Sequence, residues 1–330
     1  MQTALYGPDG FFRAGAGPAA HFRTSVHTSP LFARALLRLI ERVDEALGHP
    51  VRLDVVDVGA GRGELLSTLS GLLPSPEPAG GAPLSLAERV RFVGVEVADR
   101  PTELASAIGW EHTVPDGIVG VLLATEWLDN VPLDVAEVDD AGVPRQVLVS
   151  PDGTESMGDR VAAADAFWLA RWWPLDDAPP GSRAEIGAPR DLAWADAVAN
   201  VRRGCALAVD YGHLRADRPA FGTLTGYRDG RQVSPVPDGS TDVTAHVAMD
   251  AVAAAVGTPY TLCSQREALR ALGVDGGRPA LSLAGTDPAG YVRALATASA
   301  AAELTDPAGL GGHWWLLHEI GIDARATMLG

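Results

Sequence analysis

A glycine-rich segment at residues 55–65 carries the clearest chemical signal in the sequence. An apolar run ends in Asp57 and Val58 and enters a loop with glycine at positions 59, 61 and 63. A strand, a glycine loop and a helix start bring the backbone close to a ligand and aim amide groups at it. A dinucleotide-binding fold would need its third glycine at position 64, where the chain has Glu64. The motif therefore disfavours an NAD-dependent oxidoreductase.

Asp57 distinguishes between a pyrophosphate-bearing cofactor and S-adenosylmethionine. A pyrophosphate at this loop would face the carboxylate of Asp57, which is an unfavourable like-charge contact. The aminoacyl end of S-adenosylmethionine carries an ammonium group near a sulfonium, and a carboxylate attracts both. The alternative is a glycine turn with a purely structural role. The candidate cofactor-binding residues of this loop are Asp57, Gly59, Ala60, Gly61 and Gly63.

Glu96 is the candidate ribose-binding residue. It lies within an apolar run at residues 91–97 that predicts a second strand, so it would stand at the carboxyl edge of the sheet. A carboxylate in that position can accept hydrogen bonds from both ribose hydroxyls. Because NAD-binding folds share this feature, Glu96 indicates an adenosine ribose without choosing the cofactor. A solvated acid is the alternative.

Glu126 and Asp129 are the candidate catalytic residues. They follow a predicted strand at residues 120–124 and precede Pro132. If the segment makes one helical turn, the two carboxylates face the same side, in the crevice where an open α/β sheet binds its substrate. Such a pair could hold a guanidinium group through paired hydrogen bonds and accept its proton. Alternatively, Glu126 contacts the cofactor or orients the loop, and Asp129 caps the turn.

Short apolar strands separated by helical segments must position these residues. Strands predicted at residues 53–58, 91–97, 120–124 and 205–210 indicate a parallel sheet in an α/β, Rossmann-like fold. A helix should start at Pro30 with Ser29 as its cap. We also predict an insertion at about 133–200, which consists of a β-hairpin (133–138 with 146–149) and a helical piece at 151–200. Helices are predicted at 241–273 and 288–303, and a final strand at 314–320.

Composition excludes several classes of function. The 330-residue chain has a formal net charge of −16, which argues against nucleic acid or an anionic membrane as partner and could steer a cationic substrate. All 26 basic residues are arginine, which excludes P-loop, Schiff-base and kinase lysines. Cys205 is expected to be a buried free thiol, and the spacing of cysteines and histidines predicts no metal site. Without a membrane-length apolar run or a secretory signal, we expect a cytoplasmic protein.

These motifs together make the sequence similar to the MidA family of S-adenosylmethionine-dependent methyltransferases. That family includes the mitochondrial protein arginine methyltransferase required for complex I assembly. The glycine loop is generic to methyltransferases, whereas the motifs at residues 22–32 and 242–247 are much more specific. The resemblance runs over nearly the whole chain, through residues 6–12, 22–32, 57–63, 125–132, 209–212, 222–228, 242–247 and 309–319.

The resemblance implies an active methyltransferase that uses S-adenosyl-L-methionine on a protein side chain, with arginine as the acceptor. It also implies an N-terminal arm and helix (1–50) that fold over the cofactor bound by a methyltransferase domain (51–330). Thr24 and Ser25 thereby become candidate cofactor-side residues. Departures from the family pattern around Val26 and Thr125 leave a second hypothesis open: a non-catalytic assembly or interaction factor that retains an S-adenosylmethionine pocket.

Overall fold

The computed structural model describes residues 1–14, 25–74, 84–274, 276–323 and Thr327. Thr24, one of the cofactor-side candidates, lies outside the described residues. Within these ranges the helices are α1 (Gln2–Tyr6), α2 (Phe11–Ala14), α3 (Ser25–Thr28), α4 (Pro30–Ala46), α5 (Glu64–Leu72), α6 (Leu86–Arg89), α7 (Ala163–Trp172), α8 (Ala188–Ala199), α9 (Met249–Ala255), α10 (Gln265–Ala271), α11 (Leu283–Thr286) and α12 (Pro288–Leu304).

The central sheet has seven strands in the described part of the chain: β1 (Leu53–Val58), β2 (Val90–Val95), β3 (Gly109–Glu111), β4 (Ile118–Thr125), β9 (Val201–Asp210), β15 (Tyr260–Ser264) and β16 (Trp314–Ile320). Their order is β15-β16-β9-β4-β1-β2-β3. The strands from β9 to β3 pair in parallel, and β16 is antiparallel to both of its neighbours. The predicted α/β fold with a mostly parallel sheet is confirmed.

This strand order creates a crevice between β1 and β4. From β1 the chain continues to β2 and β3 on one side and then returns to β4 and β9 on the other. Open α/β sheets bind ligands at such a reversal, beyond the carboxyl ends of the strands. The glycine loop and the acidic loop after β4 therefore begin at adjacent points of one sheet edge.

Both faces of the central sheet are buried. Helices α4, α5 and α10 pack on one face, where Val55 of β1 joins their apolar side chains. Helices α8 and α9 cover the other face, where Val56 does the same. Every residue of β1 is buried, and four of its six residues are leucine or valine, as expected for a strand of a parallel sheet that is covered on both faces. Helix α4 starts as predicted, with the Ser29 hydroxyl accepting a hydrogen bond from the Leu31 amide at 3.2 Å.

The prediction of a helical piece at 151–200 was incomplete. A hairpin of β5 (Asp134–Val138) and β6 (Pro144–Val149) forms as predicted, but β7 (Glu155–Arg160) and β8 (Arg183–Ile186) extend it to a four-stranded antiparallel sheet. Strand β7 is largely exposed on both faces, so its sequence lacks the apolar alternation that would have revealed it. Helix α8 packs on the central sheet through the buried Trp194.

The prediction of helix across 241–273 was wrong in part. Only α9 and α10 are helical there, and β15 lies between them as the edge strand of the central sheet, paired with β16. The paired residues of β15 and β16 are at least 50 positions apart in the chain, so local periodicity could not indicate the pairing. The remaining short strands are β10 (Gly212–His213) with β14 (Val247–Ala248), and β11 (Thr225–Arg228) between β12 (Arg231–Val233) and β13 (Asp242–Thr244).

The described helices include none that is long and apolar enough to cross a membrane. At the N-terminus, α1 and α2 pack through Leu5 and Phe11 against Val243 of β13.

Beside the central sheet, Arg89 of α6 forms an ion pair with Asp44 of α4 through two hydrogen bonds, and both N–O distances are 2.6 Å. Both side chains of this pair are nearly inaccessible to solvent.

We expect Arg89→Met to lower the free energy of unfolding by about 3–5 kcal/mol, because Asp44 would be left buried with only His49 as a partner. Urea unfolding at pH 7 measures the change. Arg91→Met is the matched control, since Arg91 forms a largely exposed pair with Glu111 and should cost at most about 1 kcal/mol. Equal losses in the two variants would contradict the assignment of Arg89 as a structural ion pair.

Candidate active site

A cavity of about 720 Å³ opens beyond the carboxyl ends of β1, β2 and β4. Its wall is formed by the glycine loop, the β2–β3 connection, the loop after β4, and parts of α1, α2 and α8. The structure therefore brings most of the candidate site residues of the sequence onto one surface. Those that line the cavity are Asp57, Gly59, Ala60, Gly61, Glu96, Glu126 and Asp129.

Left-handed backbone at the glycines shapes the loop after β1. Gly59 and Gly61 have φ of +72° and +57°, values that side-chain-bearing residues rarely adopt. A Cβ on Gly59 would also lie 2.7 Å from the ring of Trp127, so the loop can approach β4 only with glycine here. Gly63 (φ +80°) is the residue before α5. It lies off the cavity wall, where a Cβ would meet Leu104.

Two carboxylates stand beside this loop. Asp57 is 2% exposed, and its Oδ1 has no hydrogen-bond partner among the described residues. Glu96 accepts hydrogen bonds from the amide of Gly61 at 3.1 Å through Oε2 and from that of Val97 at 2.7 Å through Oε1. A buried carboxylate oxygen without a partner on a cavity wall fits a ligand that carries a positive charge or a donor. The loop therefore suits the aminoacyl end of S-adenosylmethionine.

The loop after β4 turns sharply at Glu126. This residue adopts left-handed backbone with φ of +51°, and its amide donates to the carbonyl of Val209 at 2.8 Å. The Oε1 of Glu126 accepts a hydrogen bond of 3.0 Å from the amide of Ser25. Left-handed conformations of residues other than glycine cost energy and concentrate at functional sites. Ser25 itself is not on the cavity wall, but it contacts a residue that is.

The first amides of the turn after β4 are capped by Asp210 rather than by Asp129. The turn is a 3-10 helix at Leu128–Asn130, and the carboxylate of Asp210 accepts the amides of Leu128 at 3.0 Å and Asp129 at 3.3 Å. The Oδ2 of Asp129 instead accepts hydrogen bonds from the hydroxyls of Tyr211 and Thr244. Its Oδ1 has no partner among the described residues. Asp129 thus lines the cavity with a buried carboxylate that two hydroxyls hold in place.

Comparison with known families agrees with this geometry. Residues 84–264, more than half of the chain, match the family model described as "Putative S-adenosyl-L-methionine-dependent methyltransferase". The chain belongs to this MidA-like methyltransferase family. It is therefore an S-adenosylmethionine-dependent methyltransferase, as the resemblance predicted.

Two solved structures are similar to the methyltransferase over its whole length. A COG1565 superfamily member from Burkholderia thailandensis, in a crystal structure bound to S-adenosyl-homocysteine, is 25% identical with a TM-score of 0.79, covering 100% of this chain and 89% of its own. A native structure of a COG1565 superfamily protein from the same organism is 24% identical with a TM-score of 0.75, covering 99% and 87%. Both share the fold. No curated protein sequence matches the chain.

The wall of the methyltransferase cavity is acidic. Burial, together with the nearby Glu96 and Glu64, raises the pKa of Asp57 to about 8. Burial likewise raises the pKa of Glu126 to about 8 despite the hydrogen bond from Ser25, and that of Asp242 to about 7. The pKa of Asp129 is raised by burial as well, with Thr244, Tyr211 and Arg190 acting in the opposite direction. A cation bound beside these carboxyl groups would favour their ionised form and so lower their pKa values.

Several residues of this site were not singled out by sequence analysis. Tyr211 and Asp242 line the cavity together with Tyr6 of α1, and Thr244 contacts Asp129. The motifs at 209–212 and 242–247 contributed to the family resemblance, but nothing in their spacing indicated that they meet the loop after β4. In the described ranges, no three potential metal ligands lie close enough together to form a metal site.

We expect Gly59→Ala to reduce the affinity for S-adenosylhomocysteine at least tenfold, because the new methyl group would collide with Trp127 and displace the loop. Isothermal titration calorimetry measures the affinity. Gly117→Ala is the matched control: its φ of +71° is equally left-handed, but a Cβ would meet nothing within 4 Å. It should cost roughly 1–2 kcal/mol of stability without changing affinity. If Gly59→Ala binds like the parent protein, the loop does not contact the cofactor.

Proposed function

We propose that the enzyme transfers the methyl group to the guanidinium group of an arginine in a protein. The observation that carries the proposal is the surplus of carboxylates on the cavity wall. Among the described lining residues there are seven acids and two arginines: Asp57, Glu64, Glu96, Glu126, Asp129, Asp196 and Asp242, with Arg13 and Arg62. A cationic acceptor is the kind of substrate that such a wall attracts most strongly.

On the cofactor side we assign Asp57, Gly59, Ala60, Gly61 and Glu96. When bound, S-adenosylmethionine supplies an electrophilic methyl group. Asp57 would face its ammonium group, the glycine loop would approach its aminoacyl end, and Glu96 would accept hydrogen bonds from the ribose hydroxyls. Gly63 would act indirectly, by starting α5. Thr24 and Ser25 stay candidate cofactor-side residues on the strength of the family resemblance, and the amide of Ser25 also holds Glu126.

The assignment of Asp57 predicts a pH-dependent cofactor affinity. Its pKa of about 8 in the free protein means that a proton must leave when an ammonium group binds. Below pH 8, affinity for S-adenosylhomocysteine should therefore rise with pH, by up to about tenfold per unit between pH 5.5 and 7.5. Calorimetry in buffers of different ionisation enthalpy measures both the affinity and the released proton.

Asp57→Asn keeps the shape and removes the titrating group, so its affinity at pH 7 should fall by roughly 1–3 kcal/mol and most of the pH dependence should disappear. Glu96→Gln should weaken binding by a similar amount. NAD should not raise the melting temperature of the parent protein, whereas S-adenosylhomocysteine should, because only a ligand of the folded state stabilises it. A shift with NAD alone would refute the cofactor assignment.

On the acceptor side we assign Glu126 and Asp129. A guanidinium group is planar and always charged, and it is a poor nucleophile until it is oriented and loses a proton. Carboxylates would meet both requirements, because they would pair with the N–H groups and accept the proton released when the guanidinium nitrogen takes the methyl group from the sulfonium, which leaves S-adenosylhomocysteine. Glu126 is held by the Ser25 amide and Asp129 by two hydroxyls, so both are oriented before the acceptor arrives.

A protein is the acceptor class that fits the charge of the whole molecule. The net charge of −16 would attract a basic, arginine-bearing segment and repel nucleic acid or an anionic membrane. Helices α1 and α2 of the N-terminal arm contribute Gln2, Tyr6, Phe12 and Arg13 to the wall, so an approaching side chain would pass beside them. We propose that this encounter takes place in the cytoplasm.

Methyl transfer by Glu126→Gln tests the acceptor side. The substitution preserves size and removes the charge, so transfer from labelled S-adenosylmethionine to arginine-rich protein acceptors should fall about 100-fold or more. Affinity for S-adenosylhomocysteine should stay within a few fold. Asp129→Asn should also reduce transfer. Asp140→Asn, which removes a charge from the exposed β5–β6 turn, is the control and should retain the parent rate.

Other outcomes would redirect the assignment. Loss of cofactor binding in Glu126→Gln would move this residue to the cofactor side. Parent rates in both Glu126→Gln and Asp129→Asn would show that the acceptor groups are elsewhere. A parent protein that binds S-adenosylhomocysteine yet labels no protein in extracts of cells lacking it would favour the alternative hypothesis of a non-catalytic factor.

A further inference from the structure

Arg190 is a fully buried arginine beside the acceptor loop. It belongs to α8 and is 1% exposed, although the same helix contributes Ala193, Asp196 and Ala197 to the cavity wall. Burial of a guanidinium group is costly unless its donors are satisfied. The contacts of its N–H groups therefore explain how Arg190 can be buried.

The guanidinium of Arg190 joins two separate segments through their main chains. Its Nη2 donates to the carbonyl of Asp129 and its Nε to that of Val131 at 3.1 Å, both in the loop after β4. Its Nη1 donates to the carbonyls of Ala245 at 2.9 Å and His246 at 3.1 Å, in the turn after β13. A planar fork with five donors can make this set of contacts, and a lysine ammonium cannot.

The joined segments carry the groups that hold the Asp129 carboxylate. Thr244 lies just before the clamped turn and donates to Asp129 Oδ2 at 2.6 Å. Tyr211 donates to the same oxygen, and its carbonyl accepts the amide of Val247, just after the turn, at 3.0 Å. A shift of one segment relative to the other would therefore separate Asp129 from both hydroxyls.

We propose that Arg190 is a positioning residue for methyl transfer: it fixes the loop of Asp129 against the turn after β13, so that the carboxylate of Asp129 stays held by the hydroxyls of Tyr211 and Thr244 at the cavity wall. The inference rests on the proposed function for its kinetic consequences. The positive charge of Arg190 has a second effect, because it lowers the pKa of Asp129 against the effect of burial. The charged or titratable groups around Asp129 include Arg190, Asp210, Tyr211, Tyr6, Glu126, Asp242 and His246.

Two substitutions separate geometry from charge. Arg190→Lys keeps a cation but loses the fork, so kcat should fall at least tenfold with little movement of the pH profile. Arg190→Met loses both, so kcat should fall further and the acidic limb of its pH profile should move to higher pH, since Asp129 must lose its proton with a higher pKa. Affinity for S-adenosylhomocysteine should stay within a few fold of the parent value in both variants.

Arg218→Met is the matched control. The side chain of Arg218 is 6% exposed and also donates to main-chain carbonyls, those of Trp172 and His213, in addition to its pair with Asp250. Its removal should lower the melting temperature without moving the acidic limb. If Arg190→Met behaves like this control, Arg190 is merely structural and the proposal is overturned.

A measurement independent of activity keeps the inference distinct from the proposed function. In protein labelled with ¹³C at aspartate carboxyl carbons, the signal absent from Asp129→Asn reports the titration of Asp129. Its midpoint should move to higher pH in Arg190→Met, and an unmoved midpoint would overturn the proposal. If the midpoint moves but no arginine is methylated by the parent protein, the arginine proposal fails and the role of Arg190 stands. Should Arg190→Met not fold, Thr244→Val must shift the midpoint in the same direction, or the network does not control Asp129.

Discussion

The carboxylate of Asp210 is the contact on which the acceptor side depends. It stands at the end of β9 and accepts the first amides of the turn that carries Asp129. Because β9 and β4 are neighbouring parallel strands, this one side chain ties the loop after β4 to the adjacent strand. The left-handed Glu126 makes the tie possible by turning the chain back toward Val209. Without these hydrogen bonds, the buried amides at the start of the turn would lack acceptors, which would lower the stability of the fold.

The concentration of buried acids at this edge has an energetic consequence. Carboxyl groups with raised pKa values are stable in the folded protein when protonated, and they resist ionisation as pH rises. A cation that enters the cavity reverses this balance, because it favours the ionised form. The cavity of the free enzyme therefore favours positively charged ligands, because its acidic groups are already oriented. The acids are preorganised for a cationic ligand, at a cost in folding stability compared with a sheet edge that carries fewer acids.

The glycine loop and the acidic loop constrain each other. Trp127 lies against Gly59, so the conformation of one loop limits that of the other. Substitution of either residue should then affect both sides of the cavity, and the effects need not be additive. The N-terminal arm adds a third constraint, since the Ser25 amide is bonded to Glu126 and the Tyr6 hydroxyl donates to the carbonyl of Asn130 at 3.3 Å. The reaction site is thus assembled from segments distant in sequence.

The sequence by itself determined the parallel sheet, the glycine loop, the start of α4 and the acids that end strands, because each is written in local patterns of apolar, glycine and capping residues. It did not reveal β7, whose exposed residues lack apolar alternation, or β8 and β15, whose pairing partners lie far away in the chain. The same limit applied to the site. Asp57, Glu96, Glu126 and Asp129 lie at or just after the ends of predicted strands, so local patterns singled them out as candidates. The contacts of Asp210, Tyr211, Thr244 and Arg190 depend on which loops meet. Only the tertiary structure decided those contacts, since hydrogen bonds between distant segments leave no periodicity in the sequence.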